Sequence, residues 1–343
     1  MLAFITKWIS RLRTILGLGR LFLRYCVDRL FAHHQNADNL HQFSQLKILS
    51  PRLRHCLGMT TGTERAYFWW YGKHIYRGRG EIVDLGCWLG STTMPLAMGL
   101  FENPHFRNLT TNIHAYDTFL WSGYMELTVA GTPFEGKYKD GDSFLEAFES
   151  RIAPWKDRIK VYTGDLLQSK WNGGPIEFLL IDAMKSWNLA NHITLDFFPS
   201  LIPGYSYILH QDFAHWFTSW IHIIQYRLRY FFEPVYDIPR SSSMVFKLIR
   251  VIPPEVLRET SVSSSCTPDE IDAAFNYSMK LVREDKQGDI AAAKVMLFLH
   301  QRDIAQARRQ LDFFNAHGFR SSPPLLLVEQ RLRSAEQLSN QVY

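Results

Sequence analysis

The chain has 343 residues, of which 46% are hydrophobic and 21% charged, so its composition excludes a largely disordered protein. The formal net charge of +5 permits contact with anionic partners, but basic residues are not dense outside the first residues, and nucleic-acid binding is not expected. The four cysteines are widely spaced, which predicts neither a zinc site nor a disulfide framework and favours a reducing compartment. We therefore expect a cytoplasmic protein with one large α/β domain and further segments.

Residues 1–57 are predicted to be an amphipathic helix followed by a polar linker. Apolar side chains recur at helical spacing, and basic residues interrupt them, which excludes a signal peptide and a spanning helix. The apolar side chains are Phe4, Ile5, Trp8, Ile9, Leu12, Ile15 and Leu16. Such a helix packs on the main domain or on a second copy in a homodimer. The alternative is peripheral contact with the inner membrane surface.

Residues 58–250 alternate between predicted helices and strands. A helix is expected over 61–76, with Thr63 as its N-cap. Short apolar runs typical of buried parallel strands follow at 81–85, 112–117, 158–163, 176–182 and 205–210. Helical segments separate these runs, and two more runs within 232–250 flank a turn and predict a hairpin. This pattern predicts a doubly wound, Rossmann-like sheet of seven strands that ends in a β-hairpin.

The C-terminal part is predicted to be separate and helical. Residues 251–270 are rich in proline, serine and threonine, which is typical of a linker. Residues 271–343 are helical throughout in pattern and predict an α-helical appendage used for packing or dimerisation.

The turn after the first strand is the first candidate for a binding site. Its sequence, Gly-Cys-Trp-Leu-Gly at 86–90, lets the backbone approach a ligand and leads into a helix N-terminus. The spacing is not G-x-G-x-x-G, and no G-K-[ST] follows, so a phosphate-binding loop is excluded. Acidic residues end or follow five apolar runs, at Asp84, Asp117, Asp165, Asp182 and Asp212. The carboxyl ends of parallel strands share one edge of a sheet, so these acids predict a ligand site there.

Four blocks of residues 60–250 resemble the macrocin O-methyltransferase family, and more distantly catechol O-methyltransferase. The blocks are "TGTERAYFWW…GRGEIVDLGCWLGSTTMPLAMGL", "AYDTF", "TGDL" and "LLIDAMKSWNLA…FFPSLIPGYSYILHQDF". The resemblance implies a class I methyltransferase that binds S-adenosylmethionine, with the methionine end at Asp84 and 86–90, the ribose at Asp117 and the adenine near Asp165. The predicted cofactor-binding set is Asp84, Gly86, Cys87, Trp88, Gly90, Ser91, Asp117, Thr118 and Asp165. This cofactor has a sulfonium and a ribose but no phosphate, and it suits acids around a glycine turn.

The acceptor site is predicted at the ends of the fourth and fifth strands. The related families bind a divalent cation there, which implies Asp182, Gln211 and Asp212 as Mg²⁺ ligands, although Met184 replaces the family's second carboxylate. Lys185 aligns with the proton-accepting lysine of the catechol enzyme and offers a metal-free route. The predicted catalytic residues are Asp182, Lys185, His210 and Asp212, with His192 and His215 as further candidate bases. Metal dependence and the identity of the base stay open.

The leading hypothesis is an O-methyltransferase that acts on a hydroxyl of a sugar or a glycosylated small molecule. A non-catalytic binding or scaffold protein of the same fold is the alternative, because Met184 and Gln211 stand where the family has carboxylates.

Overall fold

The computed structural model describes residue 53 and residues 56–105, 113–260 and 266–340. The predicted N-terminal amphipathic helix lies outside these residues. Among the helices in the described ranges, none is both long enough and apolar enough to cross a membrane.

A seven-stranded mixed sheet forms the centre of the fold. Its strands are β1 (Glu81–Leu85), β2 (Ile113–Asp117), β3 (Ile159–Thr163), β4 (Ile176–Ile181), β5 (Tyr207–His210), β6 (Phe232–Asp237) and β7 (Met244–Leu248), in the order β3-β2-β1-β4-β5-β7-β6. The first five strands are parallel, and β7 is antiparallel to both β5 and β6. The prediction of a doubly wound sheet with seven strands is confirmed.

The strands are connected by helices whose ends the sequence largely defines. These helices are α1 (Gly62–Trp70), α2 (Thr93–Glu102), α3 (Glu126–Val129), α4 (Leu145–Ile152), α5 (Trp187–Asp196) and α6 (Ser219–Arg227). The N-cap of α1 is Thr61, so the prediction of Thr63 is wrong. The Thr61 hydroxyl accepts from the backbone N–H of Glu64, and the Glu64 carboxylate accepts from the N–H of Thr61. This reciprocal capping box satisfies two donors at once, and Thr63 instead donates to the Pro239 carbonyl.

In the described residues after the sheet there are five α-helices: α7 (Pro254–Thr260), α8 (Pro268–Leu281), α9 (Glu284–His300), α10 (Ile304–Phe314) and α11 (Pro323–Asn340). The segment predicted as a linker, 251–270, contains α7 and the start of α8, because a proline in the first turn is compatible with a helix. Buried apolar side chains of α8 to α11 belong to the same hydrophobic core as those of β1 and β4. The division into two domains remains a prediction.

The strand order places the candidate site. β1 lies between β2 and β4. From β1 the chain first continues to β2 and β3 on one side of the sheet, and it later returns to β4 and β5 on the other side. Crevices in such sheets lie at the carboxyl ends of the strands where the direction changes. Gly86 and Asp182 follow β1 and β4 at this point.

Candidate active site

A cavity of about 960 Å³ opens at the carboxyl ends of β1, β2, β4 and β5. It brings together most of the residues that the sequence predicts for the site. Those that line it are Gly86, Cys87, Trp88, Ser91, Asp117, Thr118, Asp165, Asp182, Lys185, Gln211 and Asp212. Asp84, Gly90 and His210 are not among the lining residues. The strand ends therefore converge on one space, with the glycine turn at one end and the Asp182–Asp212 pair at the other.

The glycine turn has a backbone that admits few other residues. Gly86 has φ of 91°, and a Cβ atom there would lie 2.9 Å from the carbonyl oxygen of Asp182. Its N–H donates to the carbonyl of Tyr116 at 2.8 Å, which ties the turn to β2. Trp88 adopts φ of 41°, a left-handed conformation that is uncommon for a residue with a side chain. The turn therefore passes close to β4 and presents its backbone to the cavity.

Asp84 lies beneath the turn and is fully buried. Its Oδ2 accepts hydrogen bonds from Thr92 Oγ1 at 2.7 Å and Thr93 Oγ1 at 2.6 Å. Its Oδ1 has no hydrogen-bond partner among the described residues. Burial raises the pKa of Asp84 to about 6, against the effect of the two hydroxyls. The carboxylate thus fixes the start of α2 below the turn.

Asp117 ends β2 and shapes the cavity from the side. Its Oδ2 accepts from the backbone N–H of Trp88 at 2.8 Å, and its Oδ1 accepts from the N–H of Phe119 at 2.9 Å. Burial raises its pKa, and these backbone donors oppose that change. A carboxylate has about four acceptor positions, so Asp117 retains capacity for ligand hydroxyls. Asp165 lies on the rim, where its side chain caps a short 3₁₀ turn by accepting from the N–H of Leu167 at 2.9 Å.

An ion-pair triad lies at the other end of the cavity. The ammonium of Lys185 is 2.6 Å from Asp182 Oδ1 and also contacts Asp212 Oδ2. Burial and the neighbouring Asp212 charge raise the pKa of Asp182 to about 7, although Lys185 opposes the change. Burial alone would lower the pKa of Lys185, but the two carboxylates raise it above its usual value. Lys185 therefore lies between two carboxylates as an ammonium ion, and a proton-accepting role for its amine stays a prediction.

His210 and Met184 do not reach the cavity. His210 lies in β5 with no exposed surface, and neither ring nitrogen has a hydrogen-bond partner among the described residues. Burial lowers its pKa to about 4, and the ring packs near Phe213 and Phe246. Because the His210 side chain is buried and does not line the cavity, we omit it from the proposed catalytic residues. His192 also lies outside the lining set and contacts the Ser169 carbonyl, whereas His215 lines the cavity.

Several lining residues were not predicted from the sequence. Glu64 is almost fully buried, and its Oε1 accepts from the Ser243 hydroxyl at 2.5 Å. Burial raises its pKa, which the Ser243 hydrogen bond opposes. Arg240, Ser241 and Ser242 reach the cavity from the turn between β6 and β7. The Thr-x-x-Glu capping box was the one sequence signal for Glu64, whereas nothing local indicates that the hairpin turn contributes.

Solved structures that resemble this chain include methyltransferases, with low sequence identity and low TM-scores. An S-adenosylmethionine-dependent O-methyltransferase from Thermotoga maritima is 13% identical, with a TM-score of 0.33, over 64% of this chain and 73% of that chain. Phosphoethanolamine N-methyltransferase 1 from Haemonchus contortus is 13% identical, with a TM-score of 0.36, over 67% and 53%. A putative RNA methyltransferase from Pyrococcus horikoshii is 12% identical, with a TM-score of 0.34, over 63% and 100%. No protein-family model matches the chain, and no curated protein matches it by sequence. These similarities are too low to assign an activity, a substrate or a partner to this chain.

Proposed function

We propose that this protein is an S-adenosylmethionine-dependent O-methyltransferase that acts on a hydroxyl of a sugar or a glycosylated small molecule. One observation carries the proposal. A single cavity connects the glycine turn and Asp117, which suit the cofactor, to the Asp182–Lys185–Asp212 triad, which suits a reacting hydroxyl. A methyl donor and its acceptor must be held next to each other for in-line transfer, and this cavity is large enough for both.

The residues at the first end fit S-adenosylmethionine. The backbone of the glycine turn lines the cavity at Gly86, Cys87 and Trp88, where the methionine end of the cofactor would lie. Asp117 would accept hydrogen bonds from the ribose hydroxyls and Asp165 would lie near the adenine, since both residues line the cavity. When bound, the cofactor supplies an electrophilic methyl group, whose transfer to the acceptor oxygen leaves the carbon–sulfur electron pair on sulfur.

At the second end, the carboxylates provide a destination for the proton of the acceptor hydroxyl. Asp182 and Asp212 are only 22% and 18% exposed at their side chains, and both face the cavity. A carboxylate within hydrogen-bond reach takes the proton as the oxygen forms its bond to carbon. The acceptor is positioned by the same pair, so orientation and proton transfer depend on the same residues.

The polar lining favours an acceptor with several hydroxyls. Glu64, Thr218, Ser241 and Ser242 place hydroxyl and carboxyl groups around this end, and Gln211 adds an amide. The Gln211 Oε1 is buried and has no hydrogen-bond partner among the described residues. Buried polar atoms without a partner are costly, and hydroxyl donors of a sugar would satisfy this one. Phe217 provides an apolar ring at the same end.

The proposal is tested in two steps. Isothermal titration calorimetry measures binding of S-adenosylmethionine and S-adenosylhomocysteine, and we expect saturable binding of both. A panel of sugars and glycosides is then incubated with cofactor that carries a labelled methyl group, and we expect transfer to at least one hydroxyl. Absence of saturable binding would contradict both the proposed cofactor and the proposed enzymatic activity. Binding without transfer to any hydroxylated acceptor would favour the non-catalytic binding protein instead.

A further inference from the structure

The Lys185 ammonium lies between the two carboxylates at the ends of β4 and β5. Its Nζ is 2.6 Å from Asp182 Oδ1 and contacts Asp212 Oδ2, so one cation joins the two strand ends. This is the place where the sequence predicted a divalent metal. Lys185 belongs to the loop that also carries Asp182. The positive charge at this position is therefore part of the protein and does not require a bound ion.

The same residues do not fit Mg²⁺ while Lys185 is in place. Mg²⁺ takes six oxygen ligands in nearly ideal octahedral geometry, and the two carboxylates would have to supply its negative ligands. Both are already paired with the ammonium, and Gln211 is neutral. A dication at this position would also be repelled by the lysine. In the part of the chain that the structure describes, no group of three or more His, Cys, Asp or Glu side chains could hold a metal ion.

We propose that Lys185 is the fixed cation of the acceptor site and takes the place of a divalent metal ion, an inference that rests on the proposed O-methyltransferase function. A lysine ammonium has three N–H donors. Asp182 and Asp212 accept two of them, and the third remains for an acceptor oxygen in the cavity that Lys185 lines. The ammonium thus binds the reacting oxygen and holds the two carboxylates beside it.

This arrangement accounts for the proton and the charge in methyl transfer. The acceptor O–H bond breaks, and its proton moves to the carboxylate pair. The oxygen electron pair forms the new bond to the methyl carbon, and the electron pair of the broken carbon–sulfur bond stays on sulfur. Lys185 keeps its protons throughout, and its charge stabilises the negative charge that develops on oxygen.

The loop that carries Lys185 is held in this geometry by the surrounding fold. The N–H of Lys185 donates to the Ala183 carbonyl at 2.8 Å, which closes a tight turn. The indole N–H of Trp220, on α6, donates to the Met184 carbonyl at 2.7 Å. The Ser186 side chain caps α5 directly after the lysine. A cation that is already in position does not have to move when negative charge develops on the acceptor oxygen in the transition state. This preorganisation is the condition for effective electrostatic catalysis.

The decisive experiment measures binding of Mn²⁺, a spectroscopic substitute for Mg²⁺, to the full chain. The electron paramagnetic resonance signal of free Mn²⁺ is followed in the wild type, Lys185→Ala and Lys185→Ala/Asp182→Asn. We expect no site in the wild type, one new site in Lys185→Ala, and its loss in the double variant. Lys185→Gln serves as a second variant without the charge. Lys73→Ala is the matched control, because it removes an ammonium paired with Glu102 at 2.8 Å on the surface.

Either of two outcomes would overturn the proposal: a Mn²⁺ site in the wild type that Asp182→Asn removes, or no new site in both Lys185→Ala and Lys185→Gln. The measurement needs neither cofactor nor acceptor, so its result is separate from the fate of the proposed function. With an acceptor in hand, we expect transfer by the wild type to be insensitive to EDTA. We also expect kcat to fall by roughly 100-fold or more in Lys185→Ala and to recover partly with Mg²⁺.

Discussion

The carboxylate of Asp117 and the backbone of Trp88 are joined by a hydrogen bond of 2.8 Å, which links the end of β2 to the turn after β1. The same carboxylate accepts from the N–H of Phe119 at 2.9 Å. The residue proposed to bind ribose therefore also holds the turn that approaches the cofactor.

Replacing Asp117 by Asn is expected to weaken binding of S-adenosylmethionine by roughly 10- to 100-fold, the range for losing hydrogen bonds to a charged group. The amide keeps one acceptor oxygen, but its NH₂ group cannot accept from a backbone N–H. Titration calorimetry measures the change. Asp157→Asn, an identical substitution at an exposed position, is the control. Equal affinities for the two variants would contradict the assignment of Asp117 to the cofactor.

Gly86→Ala is expected to lower both the melting temperature and cofactor affinity. The added Cβ would lie 2.9 Å from the Asp182 carbonyl oxygen, and φ of 91° strains any residue with a side chain. Gly131→Ala separates these two effects, because Gly131 has φ of 74° but no atom within 4 Å of the new Cβ. The control should lose about 1–3 kcal/mol through strain and keep its affinity. Similar losses in both variants would exclude the close approach to β4 as the cause.

Asp84→Asn is expected to change how stability depends on pH. Burial raises the pKa of Asp84 from 3.8 to about 6, so the ionised carboxylate destabilises the folded state. This unfavourable contribution is absent below about pH 4, grows as pH rises to about 6, and then stays constant. Asparagine cannot ionise, so the variant should gain up to about 2–3 kcal/mol at pH 7 relative to the wild type.

Urea unfolding at several pH values between 4 and 8 measures this effect. If the free energy of unfolding falls between pH 4 and pH 7 by the same amount in Asp84→Asn and in the wild type, Asp84 is not the cause of the pH dependence.

Trp220→Phe is expected to disturb the acceptor end and leave the cofactor end unchanged. The substitution removes the indole N–H that binds the Met184 carbonyl at 2.7 Å, in the loop between Asp182 and Lys185. We expect about 1–3 kcal/mol lower stability and a higher KM for the acceptor. Trp171→Phe is the matched control, since its indole N–H donates to the Gly174 carbonyl at 2.9 Å, away from the triad. A changed affinity for S-adenosylmethionine in Trp220→Phe alone would contradict this separation.

Local sequence patterns were sufficient for the sheet and for much of the site. The apolar runs and their helical connections predicted the parallel strands, because burial on both faces requires continuous apolar residues. The glycine turn and the acids at the ends of the strands were predicted to form one site, because the carboxyl ends of parallel strands lie at one edge of the sheet. Asp117, Asp165, Asp182 and Asp212 do meet at one cavity.

Individual roles at that edge depended on tertiary structure. Position along the chain did not distinguish Asp84, which is buried below the turn, from Asp117, which faces the cavity. His210 appeared equivalent to other strand-end residues, but in the structure it is fully buried beside Phe213 and Phe246.

The sequence by itself determined the succession of strands along the chain, the position of the glycine turn and the types of chemical group available, because these follow from local apolar patterns and from glycine. The tertiary structure alone decided which groups meet. Glu64 reaches Ser243 across 179 positions of the chain, and Lys185 reaches Asp212 across 27. Their pairing and burial depend on packing between distant segments, and charge and pKa at the site follow from that packing.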